Sequence, residues 1–297
     1  IKLDGNYPVG TGNVALGDAA LSGVISGGNY NVAIGSNAGD AITTGDSNVG
    51  LGFNALGATT TGTENIAIGT NAMLANTTGA SNVGIGTYAL NANTTASNNT
   101  AVGYASLTAN TTGASNVAMG QGAMFTSTTG NSNTALGQNA LYKNTTADGN
   151  TAVGKDTLYE NTTGASNTAV GRIALGANTT GSSNVAVGYS ALDANTTASN
   201  NTAVGAAALT ANTTGTRNVA LGALALDANT VGDKNVAIGM DALGANVDGS
   251  RSVAIGDSAL LSQDPASAVE MYNTAVGHAA GSSVTTGTGN TLIGGLA

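Results

Sequence analysis

The chain repeats itself with a constant period of 17 from Asn31 to Ser252. The restart is the pattern Asn-x-Ala-x-Gly. Seventeen copies open at positions 13 and 31, then at 48, 65, 82 and onward at the same spacing to 252, and finally at 273 and 290. Ser252 replaces the opening Asn once. The first step is longer than the period by one and the step from 252 to 273 by four, which places a one-residue insertion near 22–30 and a four-residue insertion near 261–272. Such a period excludes most globular folds. Each repeat must be one supersecondary unit that buries its apolar face only by stacking on its neighbours.

The consensus is N-[TV]-A-[VIL]-G-x-x-A-L-x-x-N-T-T-G-x-S, and each position has a physical meaning. Positions 2 to 4 alternate as a short strand does, with 2 and 4 on one face and 3 on the other. Position 5 is Gly in every copy, the mark of a positive φ or a close backbone approach. Position 9 is mostly Leu, and Asn-Thr-Thr-Gly is turn chemistry. Recurrent Gly, Asn and Thr oppose a helix. The repeat therefore predicts an all-β, parallel β-solenoid with one repeat per coil. The predicted organisation is an N-terminal cap or lead-in over 1–12 and a solenoid over 13–297. Stacked coils lie about 4.8 Å apart, so 17 of them would make a rod of roughly 80 Å.

Stacking also aligns like with like. The Asn at position 1 should form a column of amides, and a second column runs through Asn76, Asn93, Asn110, Asn144, Asn161, Asn178, Asn195, Asn212, Asn229 and Asn246. A coil this thin offers about three sizeable aliphatics against the ordering of a whole repeat, so partner chains are expected to supply further burial. The small Ala at position 3 is the expected contact surface for a neighbouring chain.

The segments NVAIG (Asn31–Gly35 and Asn235–Gly239), SVAIG (Ser252–Gly256) and NTAVG (Asn99–Gly103) resemble the YadA-like head repeats of trimeric autotransporter adhesins. The longer form NTAVGxxALxxNTTG is similar to repeats in bacteriophage tail fibres. The resemblance covers about Asn13 to Ala297. It implies a left-handed, homotrimeric rod, and a structural or adhesive segment, shaft or head, of a phage tail fibre or bacterial adhesin. An extracellular, cell-surface or virion location follows, with a glycan or protein receptor on a host or environmental surface as partner. The adhesin repeat is shorter than this one, and the excess falls in the NTTG arm. The last copy stops in mid-coil at Ala297, so the chain is expected to be a piece of a longer fibre.

Composition narrows the chemistry. The net charge is −9 with seven Lys and Arg, which opposes a nucleic-acid partner. There is no Cys, hence no disulfide framework or thiolate metal site, and no apolar run of membrane-spanning length. His278 is the only histidine, too little for a triad or a metal site, and it is expected to face solvent. Asp18, Asp257, Asp156, Asp241, Asp193 and Asp227 are expected on outer rows. No catalytic residue, cofactor or metal ligand is assigned, and no enzymatic activity is expected. The eight Asn-Thr-Thr sequons from Asn76 to Asn212 are read as ladder positions rather than glycan acceptors.

An alternative is an ice-binding solenoid. Its candidate surface residues are Thr77, Thr94, Thr111, Thr128, Thr145, Thr162, Thr179, Thr196 and Thr213, one per coil. A third class, a β-helical polysaccharide lyase, needs a cleft of charged groups that this repeat does not provide. Tyr88, Tyr104, Tyr142, Tyr159 and Tyr189 are read as exposed, but they occupy different repeat positions and form no stripe.

Overall fold

The computed structural model describes residues 9–25 and 27–297. Residues 1–8 of the expected lead-in and residue 26 of the first insertion lie outside the described residues. The chain divides into two compact units, Ile1–Asp148 and Gly149–Ala297, and the same coil builds both. Among the described residues there is no helix.

Each coil contributes one three-residue strand. The first unit holds β1 to β8, from Val14–Leu16 to Thr134–Leu136, and the second holds β9 to β17, from Thr151–Val153 to Thr291–Ile293. Within each unit neighbouring strands pair parallel and in register, Ala101 opposite Ala118 and Ala186 opposite Ala203. Paired residues hold the same position of successive repeats, so one repeat makes one coil. The two insertions leave the register intact, as Ala15 pairs with Ala33 and Ala254 with Ala275.

The glycine at position 5 ends each strand. Its φ is strongly positive, as at Gly120 (132°) and Gly239 (128°), and a β-carbon there would meet the backbone of the next coil. At Gly120 it would lie 2.5 Å from the Gly137 carbonyl oxygen. After the glycine, positions 7, 9 and 17 also adopt left-handed backbone: Asn71 (φ 55°), Met73 (49°) and Ser81 (56°) in one coil. These bends turn successive amides along the coil axis. Positions 5, 7 and 17 donate back to the preceding coil (Gly69 to Leu51, Asn71 to Phe53, Ser81 to Thr63). Positions 2, 9, 11 and 13 donate forward (Ile66 to Asn82, Met73 to Ala89, Ala75 to Asn91, Thr77 to Thr94). Hydrogen bonds between coils therefore continue well beyond the strand.

The core differs from the sequence expectation in one respect. Position 3 does not face a neighbouring chain. Ala101, Ala118, Ala186 and Ala203 are fully buried inside their own coils. A β-carbon added at Gly50, which holds this position, would sit 3.5 Å from the Leu56 side chain and 3.3 Å from the Ala55 carbonyl. Ala at position 3, Ala at position 8 and Leu at position 9 therefore fill the interior together. The larger aliphatics at positions 2 and 4 point outward. Apart from Ile42 at position 12 and Met271 in the second insertion, the fully buried large side chains are those of position 9, such as Leu90, Leu107, Met124 and Leu141, so a coil buries fewer of them than the sequence suggested.

Candidate functional site

Two columns of amides stack as the sequence predicted, and the structure places them in the polar half of the coil interior and gives each a direction. At position 1, Asn48 donates its backbone N–H to Asn31 Oδ1 (2.9 Å) and its Nδ2 to Gly62 O (2.9 Å). Asn65 repeats the geometry on Asn48 Oδ1 and Gly79 O. At position 12, Asn93 Nδ2 donates to Asn76 Oδ1 (2.9 Å) and to Ala96 O (3.0 Å). The carbonyl at position 15 thereby takes one bond from each column. Gly79 O accepts from Asn65 at 2.8 Å and from Asn76 at 3.1 Å. This double acceptance ties the end of the Asn-Thr-Thr-Gly turn to both columns. All eight Asn-Thr-Thr asparagines are fully buried, so in the folded chain their amides are structural and out of reach of a glycosylating enzyme.

The nine candidate threonines at position 13 are half-buried. Their hydroxyls mostly serve the stack: Thr77 Oγ1 donates to Thr94 O (3.0 Å), Thr94 to Thr111 O (3.1 Å) and Thr179 to Thr196 O (3.0 Å). The exposed hydroxyl row belongs to position 14, at Thr78, Thr95, Thr112, Thr129, Thr146 and their equivalents up to Thr214.

The outward faces carry what the sequence reading missed. Positions 2 and 4 present aliphatics towards solvent along both units, with Leu51 42% and Met119 43% exposed in the first and Val219 38% and Leu221 46% exposed in the second. The signal was in the sequence, as the Thr/Val and Val/Ile/Leu columns, but side-chain size assigns such columns to the core.

Titratable groups are scattered, and among the described residues no three His, Asp or Glu side chains come together as metal ligands. His278 Nδ1 lies 3.3 Å from Asp257 Oδ2, both well exposed. The position-10 aspartates are more enclosed than expected. Asp40, Asp193 and Asp227 are half-buried, and burial pushes each carboxyl above its ordinary range. At Asp227 backbone hydrogen bonds oppose the shift and the nearby charge of Asp241 adds to it. Of the five tyrosines expected at the surface, Tyr88, Tyr104 and Tyr189 are exposed, whereas Tyr142 and Tyr159 are half-buried. Tyr88 meets Tyr104 edge-on at 6.3 Å, and Tyr142 stacks on Phe125 at 5.1 Å. Among the described residues no helix is long and apolar enough to cross a membrane. The sequence matches no protein-family model, and comparison with curated proteins finds no match.

Proposed function

We propose that this chain is a structural or adhesive segment of an extracellular fibre, the shaft or head of a phage tail fibre or bacterial adhesin, built from three copies of the chain. The observation that carries the proposal is the outward aliphatic face of positions 2 and 4. It recurs along both units, whereas the apolar side of the coil interior is already filled by alanine at positions 3 and 8 and leucine at position 9. A face of this kind is an association surface, and parallel copies of a repeat present it to one another in register. The handedness and the trimer come from the resemblance to adhesin heads. The scattered titratable groups fit a role in reach and attachment rather than catalysis. Light scattering on a size-exclusion column tests the proposal. A mass near three times 28.4 kDa is expected, with Leu51→Ser/Met119→Ser shifting the equilibrium towards monomer. A monomer at all concentrations overturns it.

The exposed threonine row at position 14 favours a second reading, ice binding, because hydroxyls repeat there at one coil spacing. It offers a single exposed column where a flat ice-binding face would use two. Thermal hysteresis separates the readings: a freezing-point depression lost in Thr95→Leu/Thr112→Leu would favour ice binding over the fibre.

A further inference from the structure

Of the seven Lys and Arg in the chain, three stand in one column. Arg217, Lys234 and Arg251 occupy position 17 of three successive coils in the second unit. All three are left-handed, with φ of 59°, 59° and 62°. Other coils mostly place Ser, Asn or Gly there, as at Ser115, Ser166, Ser183 and Asn200, small residues suited to a bend. Long cations are a poor local choice at this backbone conformation, and stacking them at one coil spacing adds mutual repulsion. A sequence that departs three times running from its own consensus, against local preference, marks a functional surface.

The environment shows which charges are free. Arg251 is held: its Nε donates to Glu270 Oε1 at 2.6 Å, and its guanidinium lies 5.7 Å from the Tyr272 ring centre. Glu270 also accepts from the Tyr272 hydroxyl, and its carboxyl feels the Lys234 charge at longer range. Asp233 accepts from the Thr216 hydroxyl at 2.9 Å and keeps its negative charge, which acts on Arg251. Arg217 and Lys234 are exposed, and among the described residues neither forms an ion pair.

We infer that Arg217 and Lys234, the two free cations of this column, bind an acidic polysaccharide lying along the stacking direction, its carboxylates or sulfates facing successive coils. The column is one side chain wide and its charges recur about every 4.8 Å, which suits a single-file polyanion with one charge per sugar. A duplex nucleic acid or an anionic membrane needs a broader basic field, and the chain carries a net charge of −9. The inference is independent of the fibre proposal, since a single chain already presents the whole column.

Biolayer interferometry with the immobilised full chain tests it, with polygalacturonate as probe and neutral dextran as control. The expected result is binding of polygalacturonate that weakens with salt, no binding of dextran, and a loss of at least about tenfold in Arg217→Ser/Lys234→Ser. Serine is native at this position in other coils, so the fold is retained, and an unchanged melting temperature confirms it. Lys155→Ser, off the column, is expected to bind as the parent does. No binding of polygalacturonate by the parent, an equal loss in Lys155→Ser, or tighter binding of DNA than of polygalacturonate would each overturn the inference.

Discussion

Ser252 Oγ donates to Gln263 Oε1 at 3.1 Å inside the coil, at the one place where both amide columns depart from asparagine. Gln263 Oε1 also accepts from Asn273 Nδ2 at 2.9 Å, and its Nε2 donates to Asn246 Oδ1 at 2.9 Å. In coils with asparagine at both positions the position-15 carbonyl takes the bonds from both columns. Here the four-residue insertion follows, and the longer glutamine side chain brings its own oxygen to that role. The two departures are therefore one compensated change.

Gln263→Ala should cost about 2–4 kcal/mol, because it strands buried polar atoms on Ser252 and Asn246. Ser252→Ala should cost about 1 kcal/mol. A double-mutant cycle on the pair is expected to show coupling of about 0.5–3 kcal/mol in denaturant melts. Strict additivity would mean that the two residues are not acting as a unit.

Ser127 breaks the position-12 column in the first unit. Its hydroxyl and Asn110 Oδ1 are both buried without a hydrogen-bond partner. Ser127→Asn restores the consensus amide and should stabilise the chain by about 1–2 kcal/mol. Ser127→Ala should be close to neutral. A higher melting temperature for the asparagine variant alone is the expected outcome.

Gly120 and Gly294 share a backbone conformation (φ 132° and 124°) but not a neighbour. A β-carbon at Gly120 meets the Gly137 backbone at 2.5 Å, whereas at Gly294 it meets nothing within 4 Å. Gly294→Ala should then cost only backbone strain, about 1–3 kcal/mol. Gly120→Ala adds a clash between two backbones that no side-chain movement relieves, and should cost clearly more. Equal losses would show that conformation alone fixes the glycine.

Ile173 holds a left-handed φ of 54°, a costly state for a β-branched residue. Asn fills the same position at Asn37, Asn54 and Asn71, where Asn37 Nδ2 donates to Asn54 Oδ1 at 3.1 Å. Ile173→Asn should raise stability by about 1 kcal/mol. Thermal unfolding measures it, and a decrease would mean that the isoleucine packing outweighs the strain.

Asp193 is raised above its ordinary 3.8 by burial. Its ionised form is disfavoured in the fold, so the stability it contributes is present at low pH. That contribution is lost as pH rises from 3.8 through the folded value. Asp193→Asn should melt higher than the parent at neutral pH and equally well once the pH falls below the ordinary carboxylate range. A difference that persists at low pH would point to packing rather than titration.

The sequence by itself determined the period, the parallel in-register stacking, the position-5 glycine and both amide columns. These follow from identity between copies: a segment repeated without change in length must stack like on like, and a buried amide column satisfies itself only when its neighbours are amides. Tertiary structure decided which way each strand faces. Alternation shows that Ala101 and Val102 point to opposite sides, but size argues for valine inside. The position-9 leucine settles the matter, since a left-handed backbone, as at Leu107 (φ 50°), aims it into the coil. That leaves room at position 3 of the inner coils only for alanine or glycine and turns the valines out. No propensity places leucine in a left-handed turn. It is held there by burial and by the bonds of the coils on either side, which exist only once the stack has formed.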